Sequence, residues 1–543
     1  MDYKELANLI FPDAKPITYY EEKYPARDLP EGAIVSRFAP SPTGFVHIGG
    51  LYQALCARLA AHQSGGVFFL RIEDTDQKRE VENGIEGIIA SLKDFDMSPD
   101  EGMISQTEEV GNYGPYKQSD RKDIYQSFAK YMIERECAYP CFCTAEDLDE
   151  MRKKQEAAGV RPGYHGVWAK CRSLSLEEMA EKIKVGEPYV VRFKSPGRED
   201  RKIECHDVIK GKVIFPENDV DIPIIKSDGL PTYHFAHLVD DHLMHTTHVV
   251  RSDEWLSSLP LHLQLFQSAG FKAPKYCHIA PIQKMDDGNK RKLSKRKDPE
   301  AAVSYYEEIG VPPDAVKEYL INIANSTFEN WRRQNKEAAI TDFKFELNKM
   351  SVSGALFDMV KLFDVSKNVI SRYDAQTVYD HGYEWASKHD EELKKLLDQK
   401  EYALSVIGIE RGNEKPRRDL AKWSDLKDNI IYMFEDPTEY DYDKITGEDA
   451  KQVIEEYIKV YDLNDDKQTW FDKMKDVAEK CGCAREVKDY KANPDNYKGH
   501  VGDVSTVIRV ALTGRRNTPD LYEIMKVLGK DKVQARLETA KCN

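Results

Sequence analysis

The sequence lacks the long apolar segments of a membrane protein and the opening signal of a secreted one. No run approaches the 18 or more apolar residues that a membrane-spanning helix needs, and charged residues make up 32% of the 543 residues. Residues 1–30 carry charges of both signs and have no continuous apolar core of the secretory kind. Internal repeats and low-complexity tracts are also missing. We therefore expect a soluble, cytoplasmic protein of three to five domains.

Positive charge is in the minority and cysteine is sparse. Lys and Arg number 79 against 94 Asp and Glu, so the net charge of −15 does not by itself favour a nucleic-acid partner. RNA responds to the local surface, however, and residues 290–297 form a basic cluster. Ten cysteines in a chain of this length predict reduced thiols rather than a disulfide framework.

Residues 33–76 are the most informative stretch of the chain. Their pattern predicts a strand over 33–39, a loop rich in Pro and Gly, a helix over 51–62 and a second strand, which together form one βαβ unit of a parallel sheet. His47 and two glycines, Gly49 and Gly50, stand at the start of the helix. Unpaired N–H groups and the helix dipole favour an anion there, so the segment predicts a phosphate site.

Two motifs that lie far apart in the chain indicate the family that this pattern resembles. The run RFAPSPTGFVHIGG at 37–50, followed by RIEDTD at 71–76, resembles the signature of class I glutamyl-tRNA synthetases. The run KLSKR at 292–296 resembles the same family's KMSKS loop, and RVALTGRRNTPDLYEIMKVLG at 509–529 resembles the C-terminal signature of its bacterial type. Helical periodicity over 366–543, with no sign of a β-barrel, also favours the bacterial type.

The resemblance implies an α/β Rossmann-like catalytic domain with an inserted α+β acceptor-binding domain, followed by all-α stem-contact and anticodon-binding domains. We expect the parallel sheet to resume at 220–225, after the insertion. The expected segments are an N-terminal extension at 1–32, with a short helix at 3–10 and an arm on the catalytic domain, the catalytic domain at 33–112 and 226–300, the inserted domain at 113–225, the stem-contact domain at 301–365 and the anticodon-binding region at 366–543.

The activity that the resemblance implies is the ATP-dependent ligation of L-glutamate to tRNA(Glu). Glutamate attacks the α-phosphorus of ATP to give glutamyl-adenylate, and the terminal adenosine of the tRNA then accepts the glutamyl group. Such phosphoryl chemistry needs positioning and positive charge, with Mg²⁺ accompanying ATP. Gly288 is a candidate hinge of the KLSKR loop. The candidate catalytic residues are His47, Lys292 and Lys295, and the candidate ATP-binding residues are Thr43, His47, Gly49, Gly50, Glu254, Trp255, Gln283, Ser294 and Lys295.

Glutamate carries two carboxylates and one ammonium group, so its pocket needs two cationic clusters and one anion. The planar fork of arginine matches a carboxylate. Arg37 sits on the first predicted strand just before the loop, and Arg251 ends the predicted strand 247–251, so both could reach the crevice at the carboxyl ends of the strands. Glu73, at the end of the next strand, is the natural partner of the ammonium group. His237 stands where the family often has asparagine, which leaves the pocket geometry there open. By resemblance, the full set of candidate glutamate-binding residues is Arg37, Ala39, Ser41, Glu73, Tyr233, His237 and Arg251.

Metal binding has two candidate places, and we assign a metal to neither. Some members of the family hold zinc where this chain has Cys141, Cys143 and Cys171, but Ser173 replaces the last ligand, so His165 or Cys137 would have to complete the set. The histidines at 242, 245 and 248 would converge on one ion only if they shared a helix, and we expect strand and loop there.

Two alternatives to the main interpretation stay open. A non-discriminating enzyme would also glutamylate tRNA(Gln), and a paralogue could bind tRNA without catalysis. The expected partners are tRNA(Glu), L-glutamate and ATP, with no membrane, and we expect a monomer.

Overall fold

The computed structural model describes residues 1–44, 46–76, 81–294 and 296–542. It divides into two compact units: Met1–Tyr305 with Lys317–Asp358, and Tyr306–Val316 with Met359–Asn543. Among the described helices, none is both long and apolar enough to cross a lipid bilayer.

The first unit combines helices with several small sheets. Its helices are α1 Tyr3–Ile10, α2 Ile17–Lys23, α3 Ile48–Gln63, α4 Gly84–Asp94, α5 Lys122–Glu134, α6 Ala145–Ala157, α7 Leu176–Lys184, α8 Tyr233–Leu243, α9 Leu259–Ala269 and α12 Phe328–Gln334, while α10 Ser304–Ile309 and α11 Pro313–Ala324 span the boundaries between the units. Its strands are β1 Val35–Phe38, β2 Val67–Leu70, β3 Glu101–Met103, β4 Glu109–Val110, β5 Ala138–Cys141, β6 Val190–Phe193, β7 Lys202–Asp207, β8 Gly211–Pro216, β9 Pro223–Ile225, β10 His248–Ser252, β11 Lys275–Ile279, β12 Gln283–Asp286 and β13 Asn289–Lys292.

The predicted βαβ unit is present. Strands β1 and β2 are parallel, with Val35 opposite Val67, and α3 connects them. Strand β3 extends this sheet in parallel and β4 closes it in the antiparallel sense. Every residue of β1 is buried, as a central parallel strand requires. Because β1, β2 and β3 are parallel, their carboxyl ends lie at the same edge of the sheet. Such folds bind ligands at this edge.

A second four-stranded sheet has the order β10-β11-β7-β8. Strands β10 and β11 are parallel, and β10 lies beside β1 because the Thr247 N–H donates to Val35 O over 2.9 Å and Ser36 Oγ donates to His248 O. The prediction that the sheet resumes at residues 220–225 is wrong. The β7–β8 hairpin joins β11 instead, through Asp207 opposite Tyr276.

Residues 223–225 belong to a third, antiparallel sheet with the order β5-β6-β9. Helix α5 packs against β5 and β9 of this sheet. An isolated apolar tripeptide carries no sign of its partner strand, which is why the sequence alone assigned it to the wrong sheet.

The N-terminal extension is folded onto the first unit. Helix α1 has the predicted bounds, with a capping box between Asp2 and Glu5, and it packs against α5 and α7. Beyond α2, Arg27 forms a two-bond pair with Glu101 on β3 at 2.7 and 2.9 Å and donates to Met244 O. Its guanidinium also stacks on Tyr113, 3.8 Å from the ring centre. These contacts tie the extension to the sheet that contains β1, β2 and β3, as expected of an arm.

The second unit is helical. Its cluster of buried apolar side chains comes from nearly every helix, and no residue of 359–542, which the structure describes throughout, forms a ladder strand. This agrees with the predicted absence of a barrel. The helices wholly within it are α13 Met359–Ser371, α14 Ala375–His389, α15 Glu391–Leu397, α16 Lys400–Gly408, α17 Leu426–Phe434, α18 Gly447–Val460, α19 Lys467–Lys480, α20 Val487–Ala492, α21 Val501–Thr513, α22 Leu521–Leu528 and α23 Lys530–Cys542.

Candidate active site

The start of α3 is built as an anion site. His47 is the N-cap residue, in extended backbone conformation, and its Nδ1 accepts the N–H of Gly49 over 3.0 Å. An imidazole that accepts at Nδ1 carries its proton on Nε2 when it is neutral, so Nε2 is the ring's donor. The first turn thus combines backbone N–H groups with a side-chain donor.

A cavity of about 380 Å³ adjoins this helix start. The first turn of α3, the carboxyl ends of β10 and β11 and the end of β13 all contribute to its wall. The residues that line it are His47, Gly49, Gly50, Tyr52, Gln53, Ser252, Ile279, Ala280, Pro281, Ile282, Lys292 and Leu293. Four predicted ATP-site or catalytic residues therefore share one cavity although about 240 residues separate the two motifs.

The KLSKR motif follows an antiparallel hairpin made of β12 and β13. Asp287 and Gly288, both with positive φ, form the two-residue turn at its tip. Gly288 therefore lies in a hairpin turn, and its role as a hinge stays a prediction. Lys292 ends β13, and its Nζ lies 2.5 Å from Glu254 Oε1 in a half-exposed ion pair. Lys295 lies outside the described residues.

A carboxylate that the sequence analysis missed organises this hairpin. Asp298 is 2% exposed and receives two hydrogen bonds from Arg291, at 2.6 and 2.9 Å, and one from the Ser294 N–H at 2.9 Å. Lys284 Nζ lies 3.4 Å from Asp298 Oδ1, which also accepts from Arg291 Nη2. Chiefly because Arg291 donates to it, the pKa of Asp298 lies far below its ordinary value.

Five described residues of the predicted ATP site lie outside the lining of the cavity, and Glu254, the partner of Lys292, is one of them. Gln283 pairs through its backbone with Ala355 and Phe357, on the far side of the hairpin. Trp255 covers the ring of Tyr233, with ring centres 4.2 Å apart. Thr43 is exposed in the loop before α3, and Ser294 is held in the turn at Asp298.

The first predicted glutamate-site arginine, Arg37, is held by a buried carboxylate of helix α8. Arg37 is buried on β1, and its Nε lies 3.3 Å from Asp241 Oδ1 on α8. Asp241 also accepts from Arg71 Nη1 over 2.9 Å and from Thr246 Oγ1 over 2.9 Å. Burial opposes ionisation, but Arg71 and Arg37 outweigh it and hold the pKa of Asp241 well below its usual range.

Glu73 is a largely buried carboxylate, with 9% of its side chain exposed, and it follows the end of β2 by three residues. Its Oε1 accepts from Arg71 Nη2 over 3.1 Å, and its backbone N–H donates to Pro40 O, which fixes the loop that contains Ala39 and Ser41. Burial raises the pKa of Glu73 above its ordinary value, against the lowering effect of Arg71 and Arg37. A cation arriving beside this carboxylate would stabilise its charged form.

The second arginine lies among neutral groups. Arg251 is 3% exposed on β10, and its Nε donates to His278 Nε2 over 2.9 Å while Nη1 lies 3.1 Å from His262 Nδ1. Nη1 also lies 3.4 Å from the hydroxyl of Tyr233. Burial raises the pKa of Tyr233, and the charges of Arg251, Glu73 and Arg37 all act on this phenol. Arg251 therefore lies beside Tyr233, the first residue of α8.

The His237 position, which the sequence left open, is a fully buried neutral imidazole. Its Nε2 lies 2.9 Å from the Tyr276 hydroxyl and its Nδ1 lies 2.5 Å from Asp241 Oδ2. Burial lowers the pKa of His237 to about 4, although Asp241 opposes the shift. It occupies helix α8, whereas we expected strand and loop in this region. His242 lies in the last turn of α8, His245 lies in a turn and His248 begins β10, so the three do not share a helix.

The three predicted cysteine ligands do meet. The sulfur atoms of Cys141, Cys143 and Cys171 lie within 4.8 Å of one another, with 3.6 Å between Cys143 and Cys171. The phenol oxygen of Tyr164 lies 3.4 and 3.3 Å from the first two. A hydrogen bond with Cys171 lowers the pKa of Cys141 to about 4. The two candidate fourth ligands contact backbone oxygens instead. His165 contacts Arg161 O and Cys137 contacts Arg135 O.

Comparison with known proteins decides the family. The catalytic domain described as "tRNA synthetases class I (E and Q)" matches residues 33–364, and an "Anticodon binding domain" matches 415–541. A glutamate–tRNA ligase of Clostridium perfringens is 53% identical over 550 residues, covering 99% of this chain and all of the relative. The chain belongs to the class I glutamyl-tRNA synthetases. The resemblance inferred from the motifs is confirmed.

Further relatives agree along the whole chain. A glutamate–tRNA ligase of Acetivibrio thermocellus is 50% identical over 545 residues, covering 99% of this chain and all of the relative. A solved glutamate tRNA ligase of Elizabethkingia meningosepticum, in complex with its amino acid, superposes with a TM-score of 0.74 at 30% identity, covering 94% of this chain and 99% of that one.

Several residues that shape this synthetase's site were missed by sequence reasoning. Asp241 and Arg71 hold Arg37 and Glu73, and His278 and His262 hold Arg251. Arg71 stands within the RIEDTD motif, and Asp241 is the second residue of an Asp-Asp pair at 240–241. A charged residue within or beside a motif can be recognised from the sequence as a candidate support for the site. No sequence pattern marks His278 or His262 in this way.

Proposed function

We propose that the chain is an enzyme that ligates L-glutamate to tRNA(Glu) in two steps, with glutamyl-adenylate as the intermediate. The supporting observation is the juxtaposition of two unrelated motifs. His47, Gly49 and Gly50 meet Lys292 around one cavity. Asp241 and Arg71 link Arg37 to Glu73, and Arg37 Nη1 lies 3.4 Å from the backbone oxygen of Val250, next to Arg251 on β10, so we propose that these three residues form the glutamate pocket. A cavity for ATP next to a receptor for a dicarboxylic amino acid is what the first step requires.

The pocket's charges fit glutamate. Two buried guanidinium groups, Arg37 and Arg251, suit the two carboxylates, and Glu73 suits the ammonium group. The buried arginines would leave the neutral side-chain amide of glutamine with a donor facing a cation, which costs far more in a dry site than in water. Ala39, Ser41, Tyr233 and His237 complete the proposed pocket.

The cavity fits ATP. At the helix start, Nε2 of His47 and the N–H groups beside Gly49 and Gly50 would bind phosphate oxygens, while Lys292 would stabilise the charge that develops on them. Ser294, Lys295, Thr43, Glu254, Trp255 and Gln283 remain proposed contributors. Among the described residues, those that line the cavity include no carboxylate, so Mg²⁺ would be held by the phosphates and water.

The other proposed partners rest on the family. The acceptor end of tRNA(Glu) would bind the inserted region and the anticodon would bind the C-terminal helices. The chain would act as a cytoplasmic monomer. Charging of tRNA(Gln) as well is the alternative, and a tRNA-binding paralogue without catalysis is the alternative of another class. The retained charged residues of the site favour catalysis.

The thiol cluster would also hold zinc, which revises our expectation of no metal. A spacing of 3.6 Å between sulfur atoms suits tetrahedral coordination, and the phenol of Tyr164 is the fourth group in contact. Zinc would fix the inserted region structurally. Its test is the metal content of the purified protein, compared with a Cys143→Ser variant.

Aminoacylation tests the function directly. Purified tRNA(Glu) and tRNA(Gln) are each incubated with ATP and with glutamate or glutamine, with one control that lacks tRNA. Glutamate transfer to tRNA(Glu) alone supports the discriminating enzyme, and transfer to both supports the non-discriminating one. Absence of transfer to either would leave the paralogue. Lys295→Ala should abolish transfer, and intact transfer by that variant would contradict the role of the KLSKR loop.

A further inference from the structure

Arg251 is the end point of a buried chain of hydrogen bonds. Asp207 Oδ2 lies 2.7 Å from His278 Nδ1, and His278 Nε2 accepts from Arg251 Nε over 2.9 Å. On the other side, Arg251 Nη1 lies 3.1 Å from His262 Nδ1, and His262 Nε2 lies 2.9 Å from His234 Nδ1. The chain joins β7, β11, β10, α9 and α8, and His262 and His278 are fully buried.

The proton positions in this chain follow from chemistry. A guanidinium group can only donate hydrogen bonds, so His278 Nε2 and His262 Nδ1 must both accept. Each imidazole is therefore neutral and carries its proton on its other nitrogen, which donates to Asp207 in one case and to His234 in the other. Burial lowers the pKa of His278 and of His262, in agreement with this assignment.

The two arginines of the pocket are thus anchored in different ways. Arg37 meets the carboxylate Asp241 through its Nε, whereas Arg251 meets the neutral ring of His278 through its Nε. The ring centre of Tyr276 lies 4.9 Å from the Arg251 guanidinium carbon. Nη2 of Arg251 has, among the described residues, only a 3.5 Å contact to Trp255 O. Arg251 is held in one orientation while no carboxylate of the described residues contacts its guanidinium.

We propose that His278 and His262, fixed by Asp207 and His234, are positioning residues that aim Arg251 at a carboxylate of glutamate without neutralising it. This inference rests on the proposed function, since it assumes that Arg251 binds the amino acid. A carboxylate at the position of His278 would anchor the fork equally well but would compete with the substrate. A neutral acceptor supplies orientation and leaves the charge to the ligand.

Matched substitutions at residue 278 test the proposal. His278→Gln places an amide oxygen near the position of Nε2 and keeps the acceptor, whereas His278→Leu removes it. Asp207 Oδ2 still receives the backbone N–H of residue 278 in both variants, so neither leaves it without a donor. His278→Leu should raise the KM for glutamate about 10- to 100-fold, the range expected for one hydrogen bond to a charged group.

The remaining readouts separate positioning from simple structural support. The KM for ATP should not change in either variant, and His278→Gln should recover most of the loss. His248→Gln, on the same sheet but away from Arg251, serves as the control. If His278→Leu yields no folded protein, the pair His262→Asn and His262→Leu makes the same comparison, because the asparagine oxygen lies near the position of Nδ1.

The outcomes are distinct. An unchanged glutamate KM in His278→Leu, or equal damage in the Gln and Leu variants, would overturn the positioning role while the wild type still glutamylates tRNA(Glu). A wild type that fails to glutamylate any tRNA would instead contradict the proposed function. A rise in the KM for ATP equal to that for glutamate would show general damage to the site and would also overturn the inference.

Discussion

Asp241→Asn is the substitution whose effect the structure defines best. The residue is fully buried, and its carboxylate contacts Arg71 at 2.9 Å, Arg37 at 3.3 Å and Thr246 at 2.9 Å. Asparagine keeps the shape and removes the charge, which leaves two buried guanidinium groups short of one anion. Removing one partner of a buried pair costs about 3–5 kcal/mol. Because Arg71 keeps Glu73, we expect the lower end, about 3 kcal/mol.

Amide hydrogen exchange measures this loss where it occurs. A local destabilisation of about 3 kcal/mol corresponds to roughly 100-fold faster exchange of amides that open with α8. Helix α21, in the other unit, is the internal reference and should not change. Because Arg37 loses its anchor, the KM for glutamate should also rise while the KM for ATP stays constant.

An exposed ion pair supplies the matched control. Asp149→Asn breaks the i,i+4 pair with Lys153 on the surface of α6 and should change neither exchange nor kinetics measurably. If Asp241→Asn left exchange in α8 unchanged, the carboxylate would not hold the two arginines. Anchoring of the glutamate pocket through Asp241 would then be refuted.

Other perturbations have equally definite expected results. The pKa of Asp241 lies far below its ordinary value in the folded protein. Its contribution to the free energy of unfolding is therefore complete above about pH 4, the pKa of an unfolded aspartate, and is lost as the pH falls toward the folded-state pKa. Acid titration followed by tryptophan fluorescence should show this loss in the wild type and not in Asp241→Asn. Asp298→Asn should raise the KM for ATP more than that for glutamate in steady-state charging assays, because the hairpin loses its two-bond partner. His47→Ala should lower kcat for charging by about 10²- to 10³-fold, as loss of a transition-state donor does, with the adenylate-forming step measured by pyrophosphate exchange. Arg27→Met should speed proteolysis of the extension without changing kcat, since its contacts with Glu101 are remote from the cavity; an altered kcat would contradict that placement.

The local features of the fold were readable from the sequence where a local signal existed. Helix α1 was predicted with its observed bounds, and the structure shows that a capping box between Asp2 and Glu5 fixes its start. Helical periodicity also predicts helices over 391–397 and 447–460, which are the bounds of α15 and α18. It predicts a helix over 472–480, whereas α19 begins at Lys467 because Asp466 caps it. Pairing across the chain left no such signal, so the place of β7 and β8 in the parallel sheet was not foreseen.

The site divides along the same line. Motif residues such as His47 and Lys292 could be named from the sequence because a familiar pattern surrounds them. The residues that orient them could not, since Asp207 and His278 lie 71 positions apart and meet only through the register of β7 with β11. The type of a residue that contacts the ligand is set by the ligand's chemistry and can be recognised in the sequence. The type of a residue that orients it depends on which strands and helices become neighbours, which only the folded chain shows.

The KLSKR hairpin is a ribbon with two different faces. Lys284 and Arg291, opposite one another, face Asp298, while Gln283 and Lys292 share the other face. Successive residues of a strand alternate sides, so inserting or deleting one residue in β13 would turn Arg291 outward and Lys292 toward Asp298. An insertion or deletion in β13 therefore keeps Lys292 on the face that lines the cavity only if it adds or removes an even number of residues.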